Sequence, residues 1–151
     1  ELNKTSTKEE AKRAYDLALL QDTVDDLNSD KTLNDAKKSI EDAKKNDKNL
    51  HLIAYLTKKS SHGSIEYPLM LAEMAKGVKN VYFHIIFDGR STPPGSAPVL
   101  LAELEQRLQE IGRGEVVDGV GRGIALDRDG NYEKIRKTYE AMVLGKGAQY
   151  K

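Results

Sequence analysis

The chain has 151 residues, with 24 Lys plus Arg against 24 Asp plus Glu, so its formal net charge is zero. That length suits one compact domain, and the balanced charge argues against nucleic acid as a partner. The absence of cysteine removes disulfides, thiolate nucleophiles and thiolate metal sites together.

The start "ELNKTSTKEE" is polar and mixed in charge, unlike a secretory signal. Residues 7–20 then read as a helix, with Ala11, Ala14, Leu17 and Ala18 on one stripe. "NSDKT" (28–32) reads as a joint. A second helix is predicted over 32–46, because Leu33, Ala36, Ile40 and Ala43 recur at helical spacing and lysines gather near its end. "LHLIAYL" (50–56) predicts a strand. "SIEYPLMLAEMAKG" (64–77) predicts a helix capped by Ser64, with Pro68 in its early turns and Gly77 at its end. "NVYFHIIFD" (80–88) predicts the second strand, and Ser96–Gly112 a helix with a leading proline, a leucine stripe and a terminal glycine. "GEVVDGVG" (114–121) predicts the third strand, and Asn131–Gly145 a final capped helix. No apolar run is long enough to span a bilayer, so a cytoplasmic domain without membrane contact is expected.

Strands separated by single helices need right-handed crossovers, which make a parallel sheet. The expected fold is therefore α/β: a three-layer sandwich with a mainly parallel sheet flanked by helices. In such a sheet the loops leaving the carboxyl ends of the strands share one edge, and ligands bind there. The first loop carries Lys58, Lys59 and His62, the second Asp88 and Arg90, and the third Arg122, Asp127, Arg128 and Asp129. Converging guanidinium groups offer planar forks of donors matched to phosphate or carboxylate oxygens. Asp88 is placed to orient Arg90, with Gly89 allowing close backbone approach and Pro93–Pro94 stiffening the loop. His84, inside a strand, reads as packing, Lys58 and Lys59 as solvated, and Ser64 as a cap and not a nucleophile. "GVGRG" (119–123) has the wrong glycine spacing for a nucleotide loop, and no helix is expected to follow it at once. "DRDGN" (127–131) lacks the glycine and glutamate positions of a calcium loop.

In order, "LHLIAYL", "SHGSIE", "VYFHIIFDGRSTPPGSA" and "GRGIALDRDGNYEKIRKTYEAMVLGKG" resemble the substrate-binding, or phosphotransferase, domain of cofactor-independent phosphoglycerate mutases. The resemblance is close over 50–150 and extends back to 32. It implies a domain over 32–151, with 1–31 as a helical or linker segment. It also implies a parent enzyme of glycolysis, an isomerase interconverting 2- and 3-phosphoglycerate. In that family a second, phosphatase-like domain holds the phosphoryl-accepting serine and two divalent metals, manganese by expectation. The motifs for that domain do not occur here, so no catalytic residue, metal ligand or cofactor is expected in this chain. By motif, His62 matches the histidine of the family's "GGVHSH" loop, Arg90 that of "DGRD", and Arg122 and Arg128 those of "SGR" and "MDRD". In the family those residues hold the phosphorylated acid, and the resemblance implies the same role for the four here.

The chain departs from the pattern at Ser91, which replaces the acid after "DGR", and at "TKKSSHGS" (57–64), which loses an acid and a histidine. Further arginines and a lysine of complete members have no counterpart. Two readings follow: a glycerate-gripping domain that works with the phosphatase-like domain, inactive alone, or a degenerate non-catalytic module binding another anion or a protein partner.

Overall fold

The computed structural model describes residues 31–58 and 63–149, with the side chains of 31 and 32 left aside. The helix expected over 7–20, most of the joint at 28–32, and His62 therefore lie outside the described residues. Helix α1 (Lys31–Lys45) is followed by strand β1 (Leu50–Leu56), helix α2 (Glu66–Met74) and strand β2 (Val81–Phe87). Helix α3 (Ala97–Ile111), strand β3 (Glu115–Gly121), the single turn α4 (Arg122–Ala125) and helix α5 (Tyr132–Leu144) complete the order.

The strands lie in the order β1-β2-β3, and both pairings are parallel. Stepping the same way across the sheet with right-handed crossovers puts successive connecting helices on one face. The side chains agree with this. Ala54 and Leu56 of β1 and Val81, Phe83 and Ile85 of β2 alternate onto one face, where they pack with Ile40 and Ala43 of α1, Leu69 and Ala72 of α2, and Leu104 and Leu108 of α3. The α/β architecture, a parallel sheet flanked by helices, is thus built around a core in which Phe83, Leu69 and Ile85 are fully enclosed. α5 lies against β3 and α4. The other face of the sheet is covered unevenly, and Ile53 there is 66% exposed.

Local chemistry sets the element ends. Pro68 falls in the first turn of α2, where its missing N–H has no intrahelical role. The N-cap position falls on Ile65 and not on Ser64, which stands one residue earlier; the Ser64 hydroxyl accepts the Glu66 N–H at 3.3 Å and donates to the Lys58 carbonyl at 2.9 Å. α3 has its proline in the first turn and ends on Gly112 at φ +72°, the left-handed conformation glycine adopts without strain. Asn131 caps α5 by accepting the Lys134 N–H. Another expectation fails. A helical turn does follow "GVG" at once, because Gly121 stays extended and Arg122 enters α4 directly.

The pairing of β2 with β3 carries a bulge between Phe83 and His84. Val116 pairs with Phe83 but Asp118 with His84, so Val117 is the extra residue. The bulge turns Asp118 to the face away from α1–α3, where its Oδ2 meets His84 Nδ1 at 2.6 Å. His84 Nε2 in turn meets His51 Nδ1 at 2.9 Å. The buried His84 is thus a member of a polar chain across three strands, and not simply packing.

Candidate anion site at the carboxyl ends of the strands

Asp88, the residue after β2, organises this edge. Its side chain is fully buried. Oδ1 accepts the Arg90 N–H at 3.1 Å and Oδ2 accepts the Ser91 N–H at 3.0 Å. Gly89, at φ +64°, provides the left-handed turn that lets the chain fold back onto the carboxylate. The Gly89 N–H donates to Thr92 Oγ1 at 3.1 Å, and the Ser96 hydroxyl to the Pro93 carbonyl at 2.7 Å. Asp88 was expected to orient the Arg90 guanidinium; it holds the Arg90 backbone instead.

The carboxylate's side-chain partners come from the neighbouring strands. Tyr55, near the end of β1, donates its hydroxyl to Asp88 Oδ1 at 2.5 Å. Arg122, just after β3, donates from Nη1 to the Tyr55 oxygen at 2.6 Å and to Asp88 Oδ1 at 3.1 Å. Its guanidinium carbon stands 5.8 Å from the Tyr55 ring centroid. Burial pushes the Asp88 pKa up, but the hydrogen bonds from Tyr55, the two loop N–H groups and Arg122 outweigh it and bring it down to about 2. Burial, with the bond to Asp88, raises the Tyr55 phenol, so it remains a donor.

A cavity of about 290 Å³ opens here, lined by Asp88, Gly89, Pro93, Leu100, Gly121 and Arg122 among others. It is at the small end of the range of roughly 300–1,000 Å³ usual for ligand sites, so it suits a small molecule. A larger cleft of about 760 Å³ lies at the opposite, amino ends of the strands, against Lys79, Glu105, Arg113 and Glu115. Its charges are mixed, and open parallel sheets bind ligands at the carboxyl ends, so chemistry favours the smaller cavity.

The four residues predicted for the site fare differently. The Arg90 loop and Arg122 meet on Asp88, and the Arg90 charge is near enough to Tyr55 to act on its phenol. Arg128 stands exposed on the loop before α5, and no hydrogen bond or ion pair joins it to the cluster. That loop is nevertheless built: Asp127 accepts the Asp129 and Asn131 N–H groups at 3.2 and 2.8 Å and the Lys134 ammonium at 3.0 Å. The Lys134 bond foremost, then the Asn131 N–H, lower the Asp127 pKa against the opposing effect of burial. Lys58 pairs with Glu103 at 2.8 Å. Among the described residues no group of three or more His, Asp or Glu could hold a metal ion.

Tyr55 was missed. Its signal was available: on a strand, alternate residues share a face, and Tyr55 lies opposite Ile86 in parallel register, two residues before Asp88.

Fold and site together define a parallel α/β domain with a cation-bearing pocket at its strand ends. The chain belongs to the family described as the BPG-independent PGAM N-terminus, whose model matches residues 21–151. It is 41% identical over 114 residues to the 2,3-bisphosphoglycerate-independent phosphoglycerate mutase of Clostridium botulinum, covering 74% of this chain and 22% of that protein. The same-named protein of Acetivibrio thermocellus is 41% identical over 111 residues, covering 72% and 22%. Among solved structures, a phosphoglycerate mutase from Leishmania mexicana aligns with a TM-score of 0.63 at 25% identity, over 76% of this chain and 26% of that one. The chain thus spans about a fifth of the length of the curated relatives it matches.

Proposed function

We propose that this chain is the substrate-gripping part of a phosphoglycerate mutase, holding 2- or 3-phosphoglycerate while a serine of the phosphatase-like domain carries the phosphoryl group. In this reading the parent is an isomerase of glycolysis in the cytoplasm. Its two divalent metals, manganese by family resemblance, sit with that serine in the phosphatase-like domain. Arg122 and Arg90 bind the acid or phosphate oxygens, with Arg128 and His62 completing the grip. Positioning of this kind contributes much of phosphoryl-transfer catalysis.

The observation that carries the reading is Arg122: a guanidinium held on one side by Asp88 and Tyr55, lining a cavity at the strand ends. Calorimetry with 3-phosphoglycerate should give weak binding that Arg122→Ala abolishes. Equal heats for the two proteins would remove the site.

A second reading, a module that binds an anion without chemistry, draws support from Ser91 and Asp88. A neutral hydroxyl and a carboxylate with a pKa of about 2 are both poor proton acceptors near neutral pH. Sequencing the parent gene separates the two, because only the first requires serine and metal motifs in the same polypeptide.

A further inference from the structure

The cluster around Asp88 leaves the hydrogens of Arg122 unevenly divided. A guanidinium carries five N–H groups in a rigid plane. Nη1 is engaged, donating to the Tyr55 oxygen at 2.6 Å and to Asp88 Oδ1 at 3.1 Å. The three on Nε and Nη2 have no partner among the described residues. Tyr55 can serve Arg122 in this way only because its own hydrogen goes to Asp88, at 2.5 Å, which leaves the phenol lone pairs free to accept.

We propose that Tyr55 is a positioning residue for the anion site: by occupying Nη1 it keeps the Nε–Nη2 edge of Arg122 available to chelate two oxygens of a small phosphorylated acid. This rests on the binding role proposed above for Arg122, and adds to it a residue outside the set carried by motif. The alternative for the guanidinium is close at hand. Asp88 is a buried carboxylate beside it, and arginine grips carboxylates with two parallel hydrogen bonds when nothing prevents it. Tyr55 occupies Asp88 Oδ1 and Arg122 Nη1 at once, while the Ser91 N–H occupies Oδ2. Removing the phenol oxygen takes one of three donors from Asp88 Oδ1, which keeps the Arg90 N–H and Arg122 Nη1, and one of two acceptors from Nη1, and so lets Arg122 turn its fork onto Asp88. The same arginine then neutralises its neighbour instead of the ligand.

Tyr55→Phe tests this, since it deletes one oxygen and keeps the ring beneath the guanidinium. Two readouts are needed. In nitrogen-15 spectra of the guanidinium groups, assigned with Arg122→Lys, Arg122 should show separate Nη1 and Nη2 signals that merge or move in Tyr55→Phe. In titrations with 3-phosphoglycerate and with inorganic phosphate, Tyr55→Phe should bind roughly ten-fold more weakly, the scale of a lost hydrogen bond to a charged group. In an Arg122→Lys background, which has no fork to orient, the same Tyr55 change should have little further effect. Wild-type affinity in Tyr55→Phe, or a full additional loss in the Arg122→Lys background, would overturn the proposal. Separate Nη signals that depend on the phenol, in a protein that binds neither ligand, would instead count against the binding role while leaving the orientation of Arg122 intact.

Discussion

Asp88 shows how one side chain can hold several parts of a site. Its carboxylate folds the loop after β2, anchors Arg122 and receives the Tyr55 hydroxyl. With a folded-state pKa near 2 and an ordinary value of 3.8, its contribution to stability is complete above the ordinary range. That contribution falls as the pH drops from about 5 towards 2, and amounts to roughly 2 kcal/mol. Asp88→Asn should lower stability at pH 7 and flatten the acid side of the profile, as urea unfolding between pH 2 and 7 would measure. An unchanged acid limb would mean that Asp127, also depressed, dominates it. Arg122→Ala leaves this carboxylate buried with fewer partners, so it should cost stability as well as binding, in the range of about 1–3 kcal/mol.

Strand β3 shows what a pattern within one element leaves open. Strict alternation would place Asp118 on the same side as Val116, facing the core. The bulge at Val117 turns it to the other face, where His84 receives it. One oxygen, Asp118 Oδ1, has no hydrogen-bond partner among the described residues, so the carboxylate depends on His84. Asp118→Ala should therefore destabilise the chain by about 1–3 kcal/mol, because it strands a buried imidazole. The loop entering β3 is equally constrained. A Cβ on Gly114 would stand 2.8 Å from Leu108 Cδ2 and 2.9 Å from Phe83 Cε2, at φ +101°. Phe83 is fully enclosed and cannot swing away. Gly114→Ala should cost roughly 3 kcal/mol, combining overpacking with backbone strain, and lower the thermal midpoint in calorimetry.

For the molecule as a whole, the function proposed above gives the cations at the strand ends the work of binding and orienting a ligand and leaves phosphoryl acceptance to the phosphatase-like domain. A coupled mutase assay on this chain alone should show no turnover; activity without added protein would refute the division of labour proposed here. Much was legible in the order of residues. The three strands and the helices over 31–45, 97–111 and 132–144 fall within about a residue of expectation. Their signals, periodicity, leading proline and terminal glycine, act over one turn of chain. Parallel pairing followed as well, since single-helix connections permit little else. The motifs also located Arg90 and Arg122 on a common edge. The partnership of Tyr55, Asp88 and Arg122, the face on which Asp118 lies and the helical turn at Arg122 were decided only by the folded molecule. Each depends on strand register and on side-chain hydrogen bonds between residues 33 to 67 positions apart, distances over which local propensity carries no information.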